Sequence, residues 1–95
     1  MNHDKYSLSN KTTFIVGGSG LIGSEVSKTI ASAGSKTIIL DVNEHPVTSL
    51  VNENDSVYFN LFDSSDIENC ESHYHEAVSE FGSPNIFINC SYPRT

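Results

Sequence analysis

A glycine cluster, Gly18-Ser19-Gly20-Leu21-Ile22-Gly23, separates a β-branched run from an amphipathic stretch, and it restricts the fold more than any other feature of the chain. Before it stands Thr12-Thr13-Phe14-Ile15-Val16, short, apolar and bounded by glycine, which predicts a strand. After it Leu21, Ile22, Val26, Ile30 and Ala33 recur at helical spacing. That pattern predicts a helix over residues 21–33 with one buried stripe, closed by Gly34. A strand that feeds a helix through so tight a turn needs residues without side chains. One glycine permits the turn, one lets the backbone approach a bound group, and one lets helix and strand pack closely. The head of the helix then offers free N–H groups and the positive end of its dipole, which suits a phosphate. In this context G-x-G-x-x-G reads as a dinucleotide-binding fingerprint, where the spacing alone would say little.

The rest of the chain repeats the alternation. Thr37-Ile38-Ile39-Leu40 predicts a second strand, continuous rather than alternating, as in a parallel sheet covered on both faces. Asn43 is placed to cap a second helix, which Pro46 and only Val47, Leu50 and Val51 specify poorly. Residues 57–62 predict strand three. Ser65-Asp66-Ile67-Glu68 reads as a capping box. Behind it Ile67, Cys70, Tyr74, Ala77, Val78 and Phe81 trace one helical face, until Gly82-Ser83-Pro84 breaks it. Residues 86–90 predict strand four, and residues 1–11 an irregular lead-in. Strand–helix alternation with short connections implies an α/β fold, a Rossmann-type three-layer αβα arrangement around a parallel sheet of strand order 3-2-1-4. On this reading residues 1–95 form one partial nucleotide-binding domain, with its ligand at the switch point between strands one and four.

Charge narrows the partners. The 95 residues carry a formal net charge of −7, and Lys5, Lys11, Lys28, Lys36 and Arg94 are scattered. Nucleic acid and anionic membrane are therefore not expected, and a bound phosphate must be held mostly by backbone amides. No apolar run reaches membrane-spanning length, and Met1-Asn2-His3-Asp4-Lys5 lacks the apolar core of a signal peptide, so a cytoplasmic chain is expected. Cys70 and Cys90 lack C-x-x-C spacing and read as buried, reduced thiols. His73 and His75, two apart on a helix, diverge by about 200° and cannot share a metal. Glu68, Glu71, Glu76 and Glu80 read as a solvated face. Ser19, Ser24 and Tyr92 have no recognisable base beside them.

Four strand-end positions are the candidates for chemistry. Asp41, at the carboxyl end of strand two, can accept hydrogen bonds from both hydroxyls of an adenosine ribose and would repel a 2′-phosphate. Val42 and Asn43 after it bring no basic side chain, so NAD is favoured over NADP. Asp63, after strand three, is placed to meet an adenine amino group, or is a turn residue before the Ser65 cap. Asn89 and then Ser91, at the end of strand four, face the nicotinamide side of the same crevice. With Val42 and with Gly17, Gly18, Ser19, Gly20, Leu21, Ile22 and Gly23 they complete the candidate cofactor site. No metal ligand and no catalytic residue is expected.

These residues resemble the N-terminal part of a short-chain dehydrogenase/reductase. Tyr6-Ser7-Leu8-Ser9-Asn10-Lys11-Thr12 is similar to that family's lead into strand one, and residues 16–23 to its glycine segment. Typical members space the glycines G-x-x-x-G-x-G. Here Leu21 takes the middle place, and Gly17, Gly20 and Gly23 fit G-x-x-G-x-x-G, commoner in the extended, sugar-nucleotide branch. Val16 replaces the usual threonine. Asp41 matches the NAD-selecting acid and Asp63 the adenine-contacting one. The family's Asn-Asn-Ala-Gly reads Asn89-Cys90-Ser91-Tyr92, and Tyr92-Pro93-Arg94 resembles a continuation found among sugar-metabolising members.

The resemblance implies an oxidoreductase that moves hydride between nicotinamide and an alcohol or carbonyl carbon. It also implies a truncated product or fragment, since members run to over twice this length. Their catalytic serine and Tyr-x-x-x-Lys pair have no counterpart here: Tyr6, Tyr58, Tyr74 and Tyr92 all lack a lysine four positions on. Without a further strand the Ile86-Phe87-Ile88 edge would stay open and favour self-association. The alternatives are a stand-alone nucleotide-binding or regulatory module, a fragment of a sugar-nucleotide epimerase or dehydratase, and, more remotely, a methyltransferase.

Overall fold

The computed structural model describes residues 8–63 and 65–91, and for Ile67 only its place in the backbone. The proposed lead-in at Tyr6 and Ser7, the Tyr92-Pro93-Arg94 continuation and the side chain of Ile67 lie outside the described residues. Strand β1 (Thr12–Val16) leads through the glycine loop into helix α1 (Leu21–Ser32). Strand β2 (Lys36–Asp41), a 3-10 turn (His45–Val47) and helix α2 (Thr48–Glu53) follow, then β3 (Val57–Leu61), α3 (Ile67–Phe81) and β4 (Ile86–Asn89). All strand pairs are parallel and the order is β3-β2-β1-β4. The fold is the Rossmann-type α/β sheet that the alternation predicts, with β1 central between β2 and β4.

The two faces of the sheet bury different clusters. Phe14, Val16, Ile38, Leu40 and Phe62 lie under α3, with its Ala77, Cys70, Tyr74, Val78 and Phe81. Ile39, Val47 and Val57 pack with Ala31, Leu50 and Val51 of α1 and α2 on the other face. Phe14, Ile15, Ile38, Ile39 and Leu40 have no exposed surface; each contributes about 1.5–3 kcal/mol relative to a solvated side chain. Register places Val16 opposite Asn89, so Asn89 shares the α3 face and Cys90 turns to the other. Neither Cys70 nor Cys90 is in a disulfide. They are half-buried rather than buried, Cys70 in the α3 cluster and Cys90 at the end of β4.

Polar bonds fasten the amino ends of the strands. The Thr13 and Ser35 hydroxyls, both fully buried, pair at 2.7 Å, and Ser35 Oγ also donates to Lys11 O at 3.1 Å. Thr12 N donates to Asn85 Oδ1 at 2.8 Å. Lys36 reaches from β2 to the last turn of α3, where Nζ donates to Phe81 O at 3.3 Å and lies 5.9 Å and 5.5 Å from the Tyr58 and Phe81 ring centroids.

Four local expectations are corrected. Leu21 and Ile22 are 89% and 53% exposed rather than part of a buried stripe. The buried residues of α1 are Gly23 and Ser27, and the first helical turn follows directly on the exposed Gly20. The cap of α3 is Asp66, whose side chain accepts from Asn69 N, while the Ser65 hydroxyl donates to Asp63 at 2.6 Å. The second helical segment divides in two, with Pro46 in the 3-10 turn and Asn43 Oδ1 accepting from His45 N at 3.1 Å. α1 itself ends one residue earlier than predicted, at Ser32, and Gly34 at φ 95° turns the chain into β2. No helix among the described residues is long and apolar enough to cross a membrane.

Candidate functional site

At the carboxyl ends of the strands lies an open crevice of about 1130 Å³. Its floor is the glycine loop. Gly17 has φ 75°, and a side chain there would come within 2.8 Å of Ser91 N and 2.9 Å of the Cys90 carbonyl carbon. The loop therefore touches the exit of β4. At Gly23 an added methyl would overlap the Gly17 carbonyl oxygen, so this glycine lets α1 settle onto the turn. Gly18 is enclosed by Ile39, Ile15 and Ser27. Gly20 differs: the nearest atom to its Cβ position is Gly17 O, at an ordinary 3.5 Å. Its missing side chain leaves open space in front of the helix rather than relieving a clash.

Each loop residue is tied to the scaffold. Gly17 N donates to Leu40 O at 2.8 Å, and Gly20 N to Gly17 O at 3.2 Å. Gly18 O accepts from Ser27 Oγ at 3.0 Å, and Ser19 N donates to Asp41 Oδ2 at 3.0 Å. The first intrahelical bond of α1 runs from Ser24 N to Gly20 O, so the Leu21, Ile22 and Gly23 amides precede the helical ladder. No side chain caps them, and the first turn holds no acidic residue. They form a ready site for an anion.

Ten of the twelve sequence-derived candidates line the crevice. Gly17, Gly20, Leu21, Ile22 and Gly23 come from the loop and helix head, Asp41 and Val42 from the end of β2. Asp63, Asn89 and Ser91 come from the ends of β3 and β4. Gly18 and Ser19 sit behind the loop instead: both are buried, Ser19 with 5% of its surface exposed. The sequence reading did not single out Phe62, Ser65 and Cys90, which also line the crevice. Burial pushes the Cys90 thiol above its ordinary pKa.

The acceptors are pre-oriented. Asp41 Oδ1 accepts from Val42 N at 2.7 Å while Oδ2 holds Ser19 N. A carboxylate has about four lone-pair sites, so these two bonds leave room for two more donors. Asp63 Oδ1 accepts from Ser65 N at 3.0 Å and from Ser65 Oγ. Asn89 Oδ1 accepts from Ser91 N at 2.9 Å and Ser91 Oγ at 2.6 Å. Two donors on Oδ1 fix the amide so that Nδ2 is its outward donor. No lysine among the described residues lines the crevice. Lys28 pairs with Glu25 at 3.2 Å on the outer face of α1, and Lys36 is engaged at the opposite end of the sheet. His75 lies 3.6 Å from Glu71 on α3, away from this site.

Fold and loop together define a Rossmann-type α/β domain with its loop at the switch point of the sheet. The family model of the short chain dehydrogenases matches residues 11–91, and the chain belongs to that family, whose members bind a nicotinamide dinucleotide. Solved structures share the fold. A gluconate 5-dehydrogenase from Burkholderia cenocepacia J2315, in complex with NADP and tartrate, superposes with a TM-score of 0.80 at 20% identity, over 100% of this chain and 39% of its own. A 2-keto-3-deoxy-D-gluconate dehydrogenase from Streptococcus agalactiae gives 0.76 at 19% identity, over 99% and 37%. A short-chain glucose/ribitol dehydrogenase from Brucella melitensis gives 0.72 at 17% identity, over 87% and 36%. This chain thus spans 36% to 39% of the length of these proteins. No curated protein matches the sequence.

Proposed function

We propose that these residues hold NAD for a short-chain oxidoreductase. The observation that carries the reading is Asp41, held beside the uncapped α1 amides with room for two further donors and, among the described residues, no basic side chain lining the crevice with it. The amides of Leu21, Ile22 and Gly23 bind the diphosphate. Asp41 accepts the 2′ and 3′ hydroxyls of the adenosine ribose, and Asp63 with Val42 borders the adenine. Asn89 and Ser91 border the nicotinamide end. A 2′-phosphate would meet the Asp41 carboxylate, and no cation among the described residues that line the crevice offsets it, which favours NAD over NADP. When bound, the nicotinamide supplies hydride transfer. The chain's own part is to bind and orient. Its 95 residues contain no Tyr-x-x-x-Lys, so no proton-transfer role is assigned to them.

Calorimetry tests the reading. NAD is expected to bind in the micromolar-to-millimolar range and NADP more weakly. Absence of NAD binding, or equal affinity for both, would refute it. The purified 95-residue chain is expected to give no dehydrogenase turnover, and activity that persists through further purification steps would contradict the assignment of roles.

A further inference from the structure

The peptide plane between Gly18 and Ser19 is gripped at both ends by side chains from different elements. Ser27 Oγ, on α1, holds its carbonyl at 3.0 Å, and Asp41 Oδ2, at the end of β2, holds its N–H at 3.0 Å. Two further loop amides rest on backbone carbonyls instead: Gly17 N on Leu40 O and Gly20 N on Gly17 O. Ser19 is 5% exposed. Without Asp41 its N–H would be a buried donor lacking a partner, a state that folded chains avoid. The peptide would have to turn, and the turn would pull the Gly18 carbonyl off Ser27 and shift the helix head that follows.

We infer that Asp41 is a positioning residue for the phosphate cradle: its carboxylate latches the glycine loop in the shape that aims the α1 amides outward, separately from any contact with a ribose. The inference rests on the dinucleotide reading of the crevice. It also makes a prediction that plain electrostatics does not. A carboxylate beside an anion site repels the anion, so removing the charge should tighten anion binding whatever replaces it. A latch instead distinguishes replacements by whether they can still accept the Ser19 N–H. Asparagine has one amide oxygen and can still accept that bond with it, releasing the exposed Val42 N–H to solvent, and alanine cannot.

Two measurements test this on the 95-residue chain. Inorganic pyrophosphate, which has no ribose, is titrated into wild type, Asp41→Asn and Asp41→Ala. Asp41→Asn is expected to bind it at least as tightly as wild type, and Asp41→Ala about tenfold more weakly than Asp41→Asn, in line with loss of one hydrogen bond to a buried donor. Equal affinity of the two variants would overturn the latch. Amide hydrogen exchange without ligand supplies the second readout. The Ser19 amide is expected to be protected in wild type and Asp41→Asn, and to exchange about tenfold faster in Asp41→Ala, with Gly17 unchanged. A wild-type Ser19 amide that exchanges as freely as that of Leu21 overturns the proposal even if Asp41→Ala does not fold. If no form binds pyrophosphate, the cofactor reading fails while the exchange data still decide the latch.

Discussion

Replacing Gly23 by alanine separates two physical effects that point in opposite directions. By helix propensity alone, alanine inside α1 should stabilise the chain by about 1 kcal/mol. The structure reverses that sign. The new methyl would overlap the Gly17 carbonyl oxygen and stand 2.8 Å from the Gly17 carbonyl carbon and 2.9 Å from Gly18 Cα. All three are backbone atoms of a loop tied to β2 and α1, so no flexible side chain can swing aside. Overpacking of this kind costs about 1–3 kcal/mol, which leaves a net loss of up to about 2 kcal/mol after the propensity gain. In a domain of this size each kcal/mol moves Tm by about 4–8 °C. Thermal unfolding followed by circular dichroism should therefore show Gly23→Ala melting lower by up to about 16 °C. Gly20→Ala is the control. Its methyl meets only Gly17 O, at 3.5 Å, so it should melt within about 8 °C of wild type while losing NAD affinity, because the methyl enters the space in front of the helix. A Gly23→Ala chain that melts about 4–8 °C above wild type, as propensity alone would have it, would refute the packing argument.

Other outcomes follow from single contacts. Lys36→Met keeps the aliphatic stem between Tyr58 and Phe81 but loses the bond to Phe81 O; a Tm loss of about 4–8 °C is expected, and an unchanged melt would show that the contact contributes nothing. Cys90 has a thiol pKa raised by burial, so the folded chain holds this proton more tightly than the unfolded one. Iodoacetamide mapping should find Cys90 slower than a free thiol near neutral pH, faster as pH rises, and protected by NAD. Stability should fall as pH rises through the thiol's titration. Phe87, 51% exposed on β4, marks a strand with no neighbour on its outer side among the described residues. Sedimentation should detect self-association that Phe87→Lys reduces, and a monodisperse monomer in the wild type would contradict it.

Strand runs and glycine spacing made the sheet and its order legible, because short connections in a strand–helix alternation leave few ways to pack. They also placed Asp41 beside the loop, since one helix and one strand return the chain to the same rim. What stayed hidden depends on distances rather than patterns. Periodicity put Leu21 and Ile22 in the buried stripe, but it cannot register that the first turn of α1 faces the open crevice. Ser27 belongs to no motif in the sequence, and its value lies in a carbonyl nine residues earlier. The capping-box pattern pointed to Ser65. Asp66 caps instead, because the Ser65 hydroxyl is drawn to Asp63. Lys36 read as one of several scattered charges, since neither Tyr58 nor Phe81 is near it in sequence.

The bonds among Thr13, Ser35, Lys11, Thr12 and Asn85 all gather at the amino ends of the strands, a whole strand length from the crevice. The molecule thus keeps its fastening and its recognition at separate poles. Loops at the recognition pole can be exchanged, lengthened or retuned toward a different ligand without loosening the buckle beneath them, which makes this small sheet a base on which new specificities can be tried one segment at a time.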